Sequence, residues 1–453
     1  MRIDISLMEQ YRLQKIWNLS WPVVLEMFSV LVGGIFLTMM MGQFGAAPQA
    51  AVGLAVTMTV AISFIMSAAG TGAGVLVARA VGARDMERVR ALSGQAILLG
   101  LIGGLALLLG GTTLAAGIVT LSKLTGEVAE LTLKCLQISF TFIPCLVMMQ
   151  ICVAVLRALG KTKLSFFVSA SNNLIMVLCG AYLLFVAKVG VVGGILGASV
   201  GQVYGAIFGI YLLTRKDSAA VRLKDVYTVH RGLIKKILDL SLPAALEQFA
   251  LQGGRIFYTL ILASLGAIQM AAHHITLQVE AVSFLPGMAF SIAALTLVGQ
   301  NLGRGLPHRA KKYAERCTQV AMIGMSIVGV FFFLFSAWLG GLFTNDPEVL
   351  DWVTFCIMMA AAEQPTLAVT MVLSGALRGT GDTRWPMILT FVGVWGIRIP
   401  TMWIFLQLGY LTVGWTWVIT AVEFLIRSIL IYWRFKKVDW ARLEMKGDEG
   451  DEV

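Results

Sequence analysis

The apolar positions of this chain fall into twelve runs, at about 17–41, 50–78, 92–120, 131–155, 164–187, 190–213, 238–265, 270–298, 314–343, 350–376, 386–408 and 411–434. Each is long enough for a membrane-spanning helix, which needs roughly 20 apolar residues. Polar residues collect in the short stretches between runs. The pattern predicts an all-α polytopic membrane protein with twelve transmembrane helices.

The runs repeat. Ser20, Pro22, Leu25, Glu26, Phe28, Gly33, Ile35, Phe36 and Thr38 return 221 positions later as Ser241, Pro243, Leu246, Glu247, Phe249, Gly254, Ile256, Phe257 and Thr259. The same offset pairs Gly45 with Gly266, Pro144 with Pro365, Leu156-Arg157 with Leu377-Arg378, and Gly160 with Gly381. Six spans per half is an even number, so the second copy enters the membrane in the same direction as the first. Two six-helix bundles related by a pseudo-twofold axis along the membrane normal are expected. The domain reading is an N-terminal half at 1–213, a cytoplasmic linker at 214–237, a C-terminal half at 238–437 and a cytoplasmic tail at 438–453. In the linker, Leu233, Ile234 and Ile237 beside Lys235 and Lys236 suggest a short helix lying on the inner leaflet. The acidic tail from Asp448 to Glu452 is expected to be disordered.

Composition sharpens the class. Charged residues make up 13% of the chain and mean hydropathy is +0.83, against about 25% charged in soluble domains. Of the 35 Lys and Arg residues, 29 fall in segments that share the side of the N-terminus. The positive-inside rule therefore places both termini in the cytoplasm and the protein in the cytoplasmic membrane. The net charge of +10 is accounted for by a basic inner surface facing anionic lipid, so no nucleic-acid partner is implied. Span 1 is too long for a signal-peptide core, and no cleavage is expected. The six cysteines stand singly with no metal-ligand spacing, so they read as packing residues and no metal site is expected.

The stretch from Ala271 to Phe290 (AAHHITLQVEAVSFLPGMAF), running on to Thr296-Leu-Val-Gly-Gln-Asn-Leu-Gly303, resembles span 8 of the multidrug and toxic compound extrusion (MATE) family. Leu156 to Lys163 (LRALGKTK) and Leu377 to Arg384 (LRGTGDTR) resemble that family's inner loops after spans 4 and 10, and Gly396 to Pro400 (GIRIP) another of its signatures. The resemblance covers about residues 15–437. It implies a V-shaped pair of bundles around a central cavity, and export of amphipathic, often cationic, small organic compounds in exchange for H+ or Na+. A monomer in the bilayer suffices for that mechanism, with no cofactor beyond the coupling ion. The chain departs from the family in its N-half. Many members carry an aspartate just before the threonine of span 1, where Leu37 precedes Thr38, and an asparagine followed four residues later by an aspartate in span 5, where Asn173 is followed by Val177. The N-half cation site is therefore not carried over.

Ionisable residues within spans are costly, on the order of 2.5–3.5 kcal/mol each even on mild insertion scales, and so mark function by default. The acids are Glu26, Glu247, Glu280, Glu363 and Glu423, and the bases Arg255, Arg398 and Arg427. Burial favours the neutral form of a carboxyl group and a neighbouring cation favours the charged form, so such an acid can exchange a proton for a cationic substrate or sodium. Glu280, six residues before Pro286, is the first candidate for coupling and matches an acid that recurs in the resembled family. A hydrogen bond to kinked backbone is its alternative role. Glu247 and Glu363, each near a proline, read either as coupling groups converging on one cavity or as helix locks. Glu26 reads as a substrate-binding group or as an anchor for span 1. Arg255 lies eight residues after Glu247 and is a candidate to neutralise a carboxylate or to serve a substrate site, Arg398 a partner for a C-half acid, and Glu423 a structural partner of Arg427. His273 and His274, being adjacent, point to different helix faces and so form no i, i+4 metal site; they read as packed or interfacial, with a pH-sensing role at the outer mouth as the alternative.

The leading functional reading is a secondary multidrug antiporter working by alternating access. The alternative is a flippase for lipid-linked oligosaccharides, which calls for a cationic cavity, whereas this chain has more intramembrane acids than bases. No H-E-x-x-H, G-x-S-x-G or phosphate-cradling loop occurs, so an enzyme is not expected.

Overall fold

The computed structural model describes residues 5–123, 125–215 and 221–441, and among them there is no strand. The first half comprises α1 (Ile5–Gly42), α2 (Ala46–Gly82), α3 (Met86–Leu121), α4 (Gly126–Ala158), α5 (Thr162–Ala181) with a π-helical turn at Tyr182–Val186, and α6 (Val192–Thr214). After the short α7 (Leu223–Tyr227), the second half comprises α8 (Arg231–Ala263), α9 (Ala267–Gly303), α10 (Pro307–Leu334), α11 (Ser336–Gly341), α12 (Pro347–Gly379), α13 (Arg384–Phe391), a π-helical turn at Val392–Arg398, α14 (Ile399–Gln407) and α15 (Val413–Lys436). Among the described residues, eleven helices are long and apolar enough to cross a membrane. The remaining expected span falls on α8, where Glu247, Gln248, Gln252 and Arg255 dilute an otherwise apolar helix.

Local chemistry sets the ends. The Asp85 carboxylate accepts the Arg88 amide at 2.9 Å to cap α3, Asp346 caps α12 through the Glu348 amide at 3.0 Å, and Thr412 caps α15 through the Trp415 amide at 3.3 Å. The repeat-related Gly160 and Gly381 sit at φ 77° and 83°, where a side chain would be strained, and close the turns after α4 and α12. The expected span at 314–343 breaks at Phe335, between α10 and α11. The expected inner-leaflet helix at 233–237 is instead the first part of α8: no proline or glycine follows Gly232 until Pro243, so the amphipathic stretch runs on into the membrane helix and Ile237 is fully buried. The separate linker helix is α7, which docks on α3 because the Gln95 side-chain amide donates to the Asp225 and Thr228 carbonyls at 3.0 and 2.7 Å and accepts the His230 amide at 3.1 Å. The tail at 448–452 lies outside the described residues.

The chain forms two compact units, Trp21–Ala245 and Met1–Ser20 with Leu246–Val453. Both boundaries lie within two residues of a repeat-related proline, Pro22 or Pro243, so each unit contains the polar start of the other half's first long helix. In the first of these units the apolar core is one continuous cluster, from Leu37 through Phe140 and Ile151 to Ile237. In the second it is divided. One cluster gathers Ile16, Leu19, Phe290, Met325, Leu373 and Ile431, and the other gathers Tyr258, Ile357, Met402 and Trp417.

Candidate functional site

Two kinds of intramembrane carboxylate are present, and the internal repeat separates them. Glu26 of α1 is held by Arg157 at the end of α4, with Nη2 2.9 Å from Oε1, and accepts hydrogen bonds from the Ser165 and Ser169 hydroxyls of α5 at 3.0 and 2.6 Å. Glu247 of α8 is held in the same way by Arg378 at the end of α12, whose Nη2 donates to both carboxylate oxygens at 2.7 and 2.8 Å, and by the Thr390 hydroxyl of α13 at 3.3 Å. Glu26, Arg157 and Ser169 are the repeat equivalents of Glu247, Arg378 and Thr390. Each lock ties the first helix of a half to the helices that carry its L-R loop, and each carboxylate has its charge matched. The sequence pairing of Glu247 with Arg255 does not form. Eight residues at 3.6 per turn leave about 80° between the two side chains, and Arg255 is exposed.

The second kind has no counterpart in the other half. Glu280 on α9, Glu363 on α12, Arg398 at the end of the second π-helical turn, and Glu423 and Arg427 on α15 form one buried layer. Their repeat equivalents are Thr59, Phe142, Val177, Gln202 and Ala206, none of them charged. The layer lies where the core of this unit is divided: on α9 it separates Val279 from Phe290, on α12 Ala361 from Leu367, and on α15 Ile419 adjoins one cluster and Phe424 the other.

Within the layer, the Glu423 carboxylate is fully buried and bridges two arginines. It accepts from Arg398 Nη2 at 2.5 Å and from Arg427 Nε at 2.6 Å. Both guanidiniums lie over the Phe424 ring, at 5.3 and 5.1 Å from its centroid. Close approach of Glu423 to the π-helical turn requires Gly393, since a Cβ there would overlap the carboxylate. The turn widens the helix that carries Arg398, a distortion common at functional sites.

The Glu280 and Glu363 side chains are neighbours in this layer, with 6% and 1% of their surfaces exposed. Neither Glu363 side-chain oxygen has a donor among the described residues. Two ionised carboxylates are acceptors only, so a hydrogen bond between them requires one proton. Arg398 is within charge–charge reach of both acids. Among the buried groups of the layer, three carboxyls face two guanidiniums, and one proton or one monovalent cation on the Glu280–Glu363 pair balances them; the exposed Arg255 is also within charge–charge reach of Glu280. Tyr258, the repeat equivalent of Leu37, borders the pair: the Arg398 guanidinium sits 5.9 Å from its ring centroid, and His273 meets the ring edge-on at 5.6 Å. His273 is buried between Tyr258 and Trp417, as a packed histidine, while His274 is exposed.

The six sequence candidates thus divide. Glu280, Glu363 and Arg398 come together, Glu247 and Glu26 sit in separate locks, and the exposed Arg255 is within charge–charge reach of Glu280. Sequence reasoning did not single out Arg157, Arg378 or Tyr258, although the offset that matched Glu26 to Glu247 also matched Arg157 to Arg378. In the N-half, the Leu37 side chain is buried and packs against Gly194, where its Cδ1 lies 3.2 Å from the place a Cβ would take. Asn173 donates to the Ser29 hydroxyl at 3.2 Å. The departure at Leu37 therefore leaves apolar packing at that position, and Val177 supplies no acid beside it.

The MatE family model matches the chain twice, at residues 22–183 and 243–404, with the same 221-residue offset as the internal repeat. The "Probable multidrug resistance protein NorM" of Thermotoga maritima is 26% identical over 434 residues, covering 94% of this chain and 92% of the relative. The "Uncharacterized transporter YisQ" of Bacillus subtilis is 24% identical over 440 residues, covering 95% of each. Among solved structures, that of a MATE protein in its bent conformation superposes with a TM-score of 0.89 at 18% identity, covering 96% of this chain and 97% of the other. With the family model matching well over half of its length, this chain belongs to the multidrug and toxic compound extrusion (MATE) family of membrane transporters.

Proposed function

We propose that the protein exports amphipathic organic cations in exchange for protons, with the Glu280–Glu363 pair carrying the exchanged proton. The carrying observation is the charge balance of the layer's buried groups, which are neutral with one proton on a carboxyl pair whose Glu363 oxygens have no donor among the described residues. A cationic substrate that binds the ionised pair supplies the same charge as the proton it displaces, which is the minimum chemistry of antiport. Arg398, held by Glu423, positions a fixed positive charge beside the pair and favours release of the proton when a second cation arrives. Glu26 and Glu247 take no part in exchange in this reading, because each is already matched by an arginine. Names of relatives such as "multidrug resistance protein" support an organic substrate class. The flippase reading is less well supported, since the buried layer has an excess of acids over bases. By the positive-inside count, both termini face the cytoplasm.

The test is efflux of ethidium from proteoliposomes under a proton gradient or a sodium gradient imposed separately. A proton gradient alone is expected to drive efflux, and Glu280→Gln and Glu363→Gln are each expected to abolish it with the protein still folded and inserted. A requirement for sodium would replace the shared proton with a bound metal cation. Normal efflux by Glu280→Gln would remove the pair from the mechanism, and no efflux of wild type under either gradient would favour the flippase reading.

A further inference from the structure

A second concentration of charge lies outside the buried layer, at the membrane face that carries the N-terminus. Three chain segments meet there: the start of α1, the end of α9 and the start of α10. They line a half-open cavity of about 310 Å³ formed by Tyr11, Arg12, Lys15, Arg304, Arg309 and Tyr313, with the buried Asn301 also in its wall. All belong to one compact unit. The lining holds four cations and no acid. Among the described residues none of the four cations has a carboxylate partner, and the acid one turn before Arg12, Glu9, is paired with Arg316 on α10. The Lys15 ammonium sits 5.7 Å from the centroid of the Tyr313 ring, and Tyr313 is almost fully buried.

A basic membrane face needs only positive charges spread along it. It does not need cations from three segments directed into one concavity, where they repel one another and focus a positive potential. Arginine forks match phosphate oxygens in geometry as well as charge. The volume lies at the small end of the range for small-molecule sites, about 300–1,000 Å³, and suits a phosphorylated headgroup more than a bulky organic molecule.

We propose that this cavity binds a phosphate group, held among Arg12, Lys15, Arg304 and Arg309, and that the bound anion fastens the first turns of α1 to the α9–α10 turn. The phosphate can belong to an anionic phospholipid headgroup or to a soluble phosphate compound. The inference does not depend on the coupling role of Glu280 and Glu363.

The test uses the full chain in nanodiscs of phosphatidylcholine with or without phosphatidylglycerol, and in detergent with inorganic phosphate titrated against chloride at constant ionic strength. Retained lipid is read by native mass spectrometry and the melting midpoint by tryptophan fluorescence. Wild type is expected to keep one phosphatidylglycerol that the triple variant Arg12→Gln, Arg304→Gln, Arg309→Gln loses, or to melt higher in phosphate where the triple variant does not. The first result assigns the lipid source and the second the soluble one. A control variant, Lys224→Gln, Arg231→Gln, Lys235→Gln, removes the same charge elsewhere on the basic face and is expected to behave as wild type. Equal loss in the control would reduce the site to general surface charge and overturn the proposal, as would failure of wild type to retain lipid or respond to phosphate. Displacement of retained phosphatidylglycerol from wild type by inorganic phosphate checks the site without any variant.

Discussion

Replacing Arg378 with Met leaves the Glu247 carboxylate buried with the Thr390 hydroxyl as its one remaining side-chain donor among those described above. Breaking a buried ion pair by removing one partner costs about 3–5 kcal/mol. Because Thr390 stays and the Arg378 side chain is 18% exposed, the low end applies, about 3 kcal/mol, or roughly two decades in the folded-to-unfolded ratio at about 1.4 kcal/mol per decade. Removing both charges in Glu247→Leu, Arg378→Met leaves no uncompensated ion, and such replacements are near neutral, within about 1 kcal/mol. The loss in the double variant is therefore far smaller than the sum of the two single losses, as expected of a directly interacting pair. Equilibrium unfolding in mixed micelles, followed by tryptophan fluorescence, measures each term. The double variant is also expected to keep gradient-driven ethidium efflux. A double variant as unstable as the single one would refute the lock. A stable double variant that had lost its proton dependence would return Glu247 to the coupling machinery.

Further consequences concern the helices that carry the site. Gly375 on α12 lies against the Ser291 carbonyl of α9, so Gly375→Ala pushes apart the two helices that bear Glu363 and Glu280. Overpacking of this kind costs about 1–3 kcal/mol, and the variant should melt lower and transport more slowly than wild type in the same assays. Leu37→Asn, which places a polar group among Met40, Met41 and Gly194, should destabilise by about 2–5 kcal/mol without changing the driving ion of whatever transport remains. Arg398→Gln leaves Glu423 to Arg427 alone and takes one positive charge from the layer. It should raise the proton gradient needed for a given efflux rate, whereas an unchanged dependence on the gradient would separate Arg398 from coupling.

The parts of this molecule that were legible in the sequence are those that depend on spacing along one chain segment. The spans, the repeat, the turn glycines at 160 and 381 and the Glu423–Arg427 pair four residues apart are all of that kind. The locks were within reach as well, since both their acids and their arginines keep the repeat offset, and a pair preserved in both halves is a structural feature of each half. The Glu280–Glu363 contact was not legible. It depends on which faces of α9 and α12 meet, and those residues are more than eighty positions apart. The position of Arg398 was hidden for a further reason: the π-helical turn at Val392–Arg398 shifts the face of every residue after it, and no residue pattern announces such a turn. Arg255 misses Glu247 because eight residues are not a whole number of helical turns.

The central claim is that one proton sits between Glu280 and Glu363 and leaves when a cationic substrate binds. It is tested most directly by adding ethidium to the purified protein in weakly buffered solution and counting released protons with a pH indicator. The account predicts one proton released per ethidium bound by wild type, and none from Glu280→Gln or Glu363→Gln. Binding of ethidium to wild type with no proton released, or the same release from both variants, would contradict it.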